Sequence, residues 1–66
     1  MIHIRFEGRS YDLGERDAGI VAGMSDREIR ERVAVFLETE AKHLDFHVID
    51  RRPSGDIIIR PEAVYG

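Results

Sequence analysis

Apolar residues recur with a helical period in the middle of the chain. Ser25 is followed three residues later by Glu28, the combination of a capping box, so the sequence predicts a helix that begins at about Asp26. One face of this helix is expected to pack on the rest of the protein, because its apolar residues fall at helical spacing. These residues are Ile29, Val33, Phe36, Leu37, Ala41 and Leu44. Val35 falls outside this stripe and is expected to be half-exposed.

Before the helix, apolar and polar residues alternate with the period of two that indicates half-buried strands. Residues 2–13 are predicted to form a hairpin with its turn at residues 7–9. Its buried face is expected to hold the apolar members, which are Ile2, Ile4, Phe6, Tyr11 and Leu13. Residues 14–23 contain three glycines and are predicted to form a loop that tucks Ile20 or Val21 under the start of the helix.

After the helix, two further strands are predicted at residues 46–51 and 56–60. The connection at residues 52–55 is rich in turn-forming residues. Pro61 is expected to stop the last strand, because proline has no N–H to donate, and residues 61–66 then form a short C-terminal tail. The sequence therefore predicts a single small α+β domain over residues 1–66 with the element order ββαββ.

The run Ile57-Ile58-Ile59 is apolar on both faces of its strand, and such strands belong at the centre of a sheet. The first and fourth strands are then neighbours and parallel, connected by a right-handed crossover through the helix. This predicts a four-stranded mixed sheet of order 2-1-4-3 with one helix packed on one face. The arrangement resembles the β-grasp topology of ubiquitin-like and immunoglobulin-binding domains. A plain meander with the helix on one side is the competing topology.

A single helix covers one side of such a sheet, so the other side is expected to be open. The residues assigned to the open side are His3, Arg5, Ser10, Asp12, His47, Ile49, Ile58 and Arg60. One interpretation is a solvated face, because antiparallel sheets often leave one side wet. The other is a binding face formed by His3, Arg5, His47, Ile49, Ile58 and Arg60. In the second interpretation Ile49 and Ile58 form the centre of a partner or dimer contact with a polar rim.

Composition narrows the functional classes. The chain has no cysteine, which excludes a disulfide framework, a thiolate metal site and a thiol nucleophile. Ten basic residues against thirteen acidic ones give a net charge of −3, so no global field attracts DNA or an anionic membrane. No apolar run is long enough to span a membrane, and the first residues lack the order of a signal peptide. A cytoplasmic location is therefore expected.

The predicted open face also argues against nucleic acid as a partner. Arg5 and Arg60, with His3 and His47, would form a local basic stripe there. Proteins that bind single strands on open sheets also place aromatic side chains on that face, because the bases stack on them. Here the aromatic residues of the hairpin alternate inward, so the stripe lacks a stacking surface.

The sequence offers little for catalysis or metal binding. His43 and His47 have the spacing of two ligands on one helix turn, but residues 44–46 indicate a break from helix to strand, so two surface histidines are expected instead of a metal site. No serine lies in a nucleophile elbow, and no triad can be assigned. We therefore predict no catalytic residue, no metal, no cofactor and no enzymatic activity.

Two short motifs remain. Arg51-Arg52-Pro53-Ser54 matches a pattern that basophilic kinases recognise, and a phosphate on Ser54 could pair with the arginines. Gly66 is similar to the terminal glycine of ubiquitin-like modifiers and sulfur carriers, although those proteins carry Gly-Gly and this chain carries Tyr65-Gly66. The function predicted first is a small non-catalytic domain that binds a protein or self-associates, as a homodimer, through its open sheet face. The alternative is a modifier or sulfur carrier that acts through Gly66.

Overall fold

Four strands, two α-helices and one 3₁₀ helix form the regular structure of residues 1–21 and 23–62, the part of the chain that the computed structural model describes. The strands are β1 (Ile2–Phe6), β2 (Arg9–Leu13), β3 (His47–Arg51) and β4 (Ile57–Pro61). The α-helices are α1 (Glu15–Ala18) and α2 (Asp26–Leu37), and the 3₁₀ helix is Ala41–Leu44.

The strands form one sheet in the order β2-β1-β4-β3. β1 is antiparallel to β2 and parallel to β4, and β3 is antiparallel to β4. The predicted mixed sheet of order 2-1-4-3 is therefore confirmed. The meander is wrong, because β4 returns to pair with β1. β4 lies at the centre, as its two apolar faces predict.

The helix α2 begins where its capping box predicts. The backbone N–H of Glu28 donates to Ser25 Oγ at 3.2 Å, and the backbone N–H of Ser25 donates to Glu28 Oε1 at 3.4 Å. The helix ends at Leu37, because Glu38 adopts the left-handed conformation with φ 56°. The N–H of Thr39 then donates to the carbonyl of Ala34 at 3.0 Å, which satisfies one of the last carbonyls of the helix.

The predicted apolar stripe continues past this helix end. Ala41 and Leu44 lie in the 3₁₀ helix, not in α2. Leu44 is fully buried, so its assignment to the core is confirmed although its element was predicted wrongly.

The core lies between α2 and the side of the sheet that faces it. Its buried members are Ile2, Ile4, Leu13, Ala18, Ile20, Ile29, Val33, Ala34, Leu44 and Ile59. Phe36 is not among them, since 42% of its surface is exposed, and the prediction that it fills the core is wrong. Ala34 is buried in its place, and Phe36 lies at the margin with its ring edge against Tyr11, at a centroid distance of 5.9 Å.

The glycine-rich segment before α2 is more regular than predicted. It contains the short helix α1, which ends at Gly19 with φ 69°, a left-handed conformation that glycine adopts without steric cost. Of the two residues predicted to pack under α2, Ile20 is buried and Val21 is exposed. The last strand, β4, includes Pro61 as its final residue. The strand thus ends at the proline itself and not at residue 60, where it was predicted to end.

Candidate binding face of the sheet

The strand registers define the side of the sheet that points away from α2, called the outer face below. Ile2, Ile4 and Ile59 are buried on the helix side, so the residues that alternate with them point the other way. The outer face comprises His3, Arg5, Ser10, Asp12, Val48, Asp50, Ile58 and Arg60. None of these residues belongs to the buried core of the described chain.

Two residues predicted for this face lie on the helix side instead. Ile49 is in register with Ile59 and packs against the core. His47 shares that side, with its ring centroid 5.8 Å from that of Phe6. The prediction for Ile49 and His47 is therefore wrong, whereas that for His3, Arg5, Ile58 and Arg60 is confirmed as far as their side of the sheet is concerned.

The cause of this error is a one-residue shift in the alternation of β3. The prediction began the strand at Phe46 and turned that ring inward, but β3 begins at His47 and Phe46 is 80% exposed. Such a shift moves every side chain to the opposite face. Val48 and Ile49 are both aliphatic, so the pattern alone did not distinguish the two phases.

The apolar part of the outer face therefore consists of Val48 and Ile58. Val48 is in register with Arg60, and Ile58 with Asp50, which places the two aliphatic side chains diagonally on neighbouring strands, about 7–8 Å apart. Both are half-buried. Phe46, whose ring is exposed, directly precedes β3 at the end of that strand nearer to Val48. A small apolar patch thus lies on the β4–β3 half of the face.

Acidic residues occupy the two outer strands of this face, and both have partners. Asp12 Oδ1 is 2.7 Å from His3 Nδ1 on the neighbouring strand. Asp50 Oδ2 is 3.0 Å from a guanidinium nitrogen of Arg52. The central strands carry Arg5 and Arg60, which line a shallow depression together with Gly8, Pro61 and Glu62. The face is thus basic along its centre and acidic at its margins.

The predicted placement of the two aromatic residues of the hairpin is confirmed. Tyr11 is in register with Ile4, so it lies on the helix side, where it contacts Phe36. Phe6 lies on the same side, beside His47. None of the outer-face residues defined above is phenylalanine, tyrosine or tryptophan, and the imidazole of His3 is held against Asp12.

The two histidines with ligand-like spacing belong to different elements. His43 lies in the 3₁₀ helix, with its Nδ1 2.7 Å from Thr39 Oγ1, and His47 begins β3. The predicted break between them is confirmed. Over residues 1–21 and 23–62, no group of three or more His, Cys, Asp and Glu side chains is arranged to hold a metal ion.

The turn with the kinase-like pattern uses its arginines for structure. Arg51 Nη2 donates to the carbonyl of Met24 at 2.9 Å and to Asp26 Oδ1 at 2.6 Å, which ties β3 to the start of α2. Arg52 pairs with Asp50. A phosphate on Ser54 would therefore compete with existing partners for both arginines. No local pattern predicts these two bonds of Arg51, because its partners lie more than twenty residues away in the chain.

Gly66, on which the alternative function depends, lies outside the described residues.

None of the helices in residues 1–21 and 23–62 has the length and apolar character needed to cross a bilayer. Comparison of the chain with protein-family models, with curated proteins and with solved structures found no match.

Proposed function

We propose that this chain is a small non-catalytic domain that binds a protein partner, or a second copy of itself as a homodimer, through the outer face. The observation that carries the proposal is the pair Val48 and Ile58, two aliphatic side chains on a sheet side that contributes nothing to the buried core. A protein interface typically has such an apolar centre inside a polar rim. His3, Arg5 and Asp50 supply that rim here.

The exposed ring of Phe46 directly precedes β3 and is a further apolar side chain available for a partner near Val48. Aromatic side chains are enriched in protein interfaces, because they bury a large area at a small cost in side-chain entropy.

We also propose a cytoplasmic location, since small secreted domains commonly depend on disulfides and this chain has no cysteine.

The test replaces Ile58 with lysine, which places a charge where a partner must be desolvated. The monomer should keep its circular dichroism spectrum, because the alkyl part of lysine can lie along the sheet while its ammonium group reaches water. Val35→Lys is the matched control, since Val35 is an exposed aliphatic residue on α2, away from the outer face.

The readouts are light scattering after size exclusion at a few hundred micromolar and partner capture from a native lysate. We expect self-association or capture to be lost in Ile58→Lys and kept in Val35→Lys. If the unmodified protein is monomeric and the Ile58 variant captures the same partners as the unmodified protein, the outer face is merely solvated and the proposal is wrong.

A further inference from the structure

Two arginines stand side by side at the centre of the outer face. Ile4 of β1 is in register with Ile59 of β4, so the next residues, Arg5 and Arg60, are direct neighbours across the parallel pair. Neither has an ion-pair partner or a side-chain hydrogen bond among residues 1–21 and 23–62. Like charges placed directly across a strand pair are destabilising. The pair is therefore unfavourable until an anion lies between the two guanidinium groups.

The geometry suits a single oxyanion. Neighbouring strands are about 4.8 Å apart, which lets two guanidinium groups approach the same carboxylate from either side. Arg60 is half-buried, so its charge is less screened by water than that of a fully exposed arginine. Planar guanidinium groups bind carboxylates through paired hydrogen bonds. Arg5 and Arg60 thus have the chemistry and spacing of an oxyanion clamp.

The surroundings exclude a polyanion as the best ligand. Glu62 lines the same depression, and Asp12 and Asp50 lie on the outer strands of the same face. A nucleic acid backbone that extended beyond the two arginines would meet these carboxylates. A ligand with one localised negative charge avoids them.

A second copy of the chain also fits this site poorly. Two copies can stack their outer faces about a twofold axis parallel to the strands. In that pair β1 of one copy faces β4 of the other, and Arg5 of one copy meets Arg60 of the other. If the axis is instead perpendicular to the strands, Arg5 meets His3 and Arg60 meets Ile58 of the other copy. Neither arrangement brings a carboxylate to the arginines.

We propose that Arg5 and Arg60 bind a carboxylate side chain of an acidic partner polypeptide, with an aliphatic side chain two residues away packed on Val48 and Ile58. Val48 lies in the same row as Arg60, and residues two apart in an extended segment lie about 7 Å apart on one face, so one segment can reach both features. This inference rests on the proposed function and specifies its partner: a different protein with an acidic residue two positions from an aliphatic one.

The probe is the capped peptide acetyl-Ser-Ser-Glu-Ser-Val-amide, whose glutamate and valine share one face when it is extended. It is titrated into the ¹⁵N-labelled full chain and followed by NMR. We expect saturable shifts in the arginine Nε–Hε signals and in the amides around positions 5 and 60. The same peptide with glutamine in place of glutamate should bind about tenfold more weakly, because the charge-assisted hydrogen bonds are lost.

Two arginine variants and one control locate the site. Arg5→Gln and Arg60→Gln should each weaken binding of the glutamate peptide by about tenfold. Arg9→Gln removes an equal charge from an exposed residue of β2 that lies on the helix side, and it should leave binding unchanged. An equal loss in the Arg9 variant would show a general charge effect and overturn the proposal.

Inorganic phosphate forms the second arm of the experiment. Shifts around positions 5 and 60 that saturate with phosphate at concentrations equal to or below those needed for the peptide would overturn the proposal in favour of a phosphate site. The absence of saturable shifts with the peptide, or equal binding of its glutamine version, would also overturn it. If partner capture is lost in Ile58→Lys but kept in both arginine variants, the outer face binds a partner and the carboxylate clamp alone is wrong.

Discussion

His47 and Arg30 each bury a nitrogen that has no hydrogen-bond partner among the described residues. The atoms are His47 Nε2 and Arg30 Nε. The same two residues are joined by one good bond, from Arg30 Nη2 to the carbonyl of His47 at 3.1 Å. A buried polar atom without a partner costs about 1–3 kcal/mol of stability. This corner, between the start of β3 and α2, is thus a weak point of the fold.

Replacing His47 with phenylalanine should therefore stabilise the protein. The substitution removes the unpaired nitrogen, keeps a ring beside Phe6 and retains the carbonyl that Arg30 binds. We expect a gain of about 1 kcal/mol in the free energy of unfolding, visible as a rise of several degrees in Tm for a domain of this size. His43→Phe is the control, because His43 is exposed and bonded to Thr39, and it should give no gain. A lower Tm in the His47 variant would contradict the interpretation of this corner.

The same residue shows where the sequence was insufficient. Which side chains of a strand face the helix depends on its register with the neighbouring strand. Because Val48 and Ile49 are both aliphatic, the sequence of β3 is compatible with either one facing the helix. Burial of Ile49 against Ile59 is decided by contacts between strands, which a local pattern does not contain. His3, Arg5, Ile58 and Arg60 were assigned to the correct side, because β1 and β4 are fixed by buried isoleucines on the helix side.

At the scale of elements, α2 illustrates a start that is local and an end that is not. The capping box lies within four residues and identifies the first turn from sequence. The end depends on Glu38, a non-glycine residue in the left-handed region, and such a conformation has no sequence signal. The four residues of α1 have no apolar stripe, so periodicity could not reveal this helix either.

The residues through which α2 packs on the core differ in part from those predicted, and this difference leads to a prediction about two positions of the helix. Ile29 is fully buried, whereas Phe36 is 42% exposed. Ile29→Ala should cost about 2–5 kcal/mol, through lost burial and the cavity that remains. Phe36→Ala removes a larger side chain, but should cost less, about 1–2 kcal/mol, because much of the ring already contacts water.

Urea unfolding followed by circular dichroism provides the measurement. A domain of this size has roughly 3–5 kcal/mol of stability in total, so the Ile29 variant should be largely unfolded in water while the Phe36 variant stays folded. Val35→Ala, on the exposed flank, is the control and should be nearly silent. A Phe36 variant as damaged as the Ile29 variant would mean that another surface covers the ring.

At the scale of the whole molecule, the apolar run of β4 was sufficient to predict the strand order, because aliphatic residues on both faces of a strand are typical of the centre of a sheet. What binds the outer face is not encoded in this way. An interface depends on complementarity with a second surface, and its residues need only satisfy the monomer. The paired arginines of β1 and β4 become apparent only when the parallel register brings residues 5 and 60 together.

One electrostatic cluster joins three distant parts of the chain. The amino group of Met1 donates to Glu15 at the start of α1 and, at 3.0 Å, to Asp56 just before β4. The hydrogen bond to Glu15, followed by that to Asp56, raises the pKa of the amine above its usual 8.0. The bond from the amine lowers the pKa of Glu15 below 4.5 and, with a smaller contribution from Ser54, that of Asp56 below 3.8.

These pKa shifts predict that the free energy of unfolding decreases as the pH moves away from neutrality in either direction. A raised amine pKa contributes stability that is fully present below pH 8.0 and is lost as pH rises through the folded value. Lowered carboxyl pKa values contribute stability that is present above pH 4.5 for Glu15 and 3.8 for Asp56, and it is lost as pH falls through the folded values. All three groups are solvent-exposed, so added salt should flatten both limbs.

The test compares the unmodified chain with the double variant Glu15→Gln, Asp56→Asn in urea unfolding at about pH 3, 6.5 and 9.5. Other carboxylates also titrate on the acid side, so the difference between the two proteins is the informative quantity there. The difference between the two proteins is the informative quantity on the alkaline side as well, because both keep the same three histidines and two tyrosines. We expect the unmodified chain to lose stability between pH 6.5 and 9.5 and the variant to lose less. Equal losses in the two proteins would show that the amine does not tie Glu15 and Asp56 together in solution.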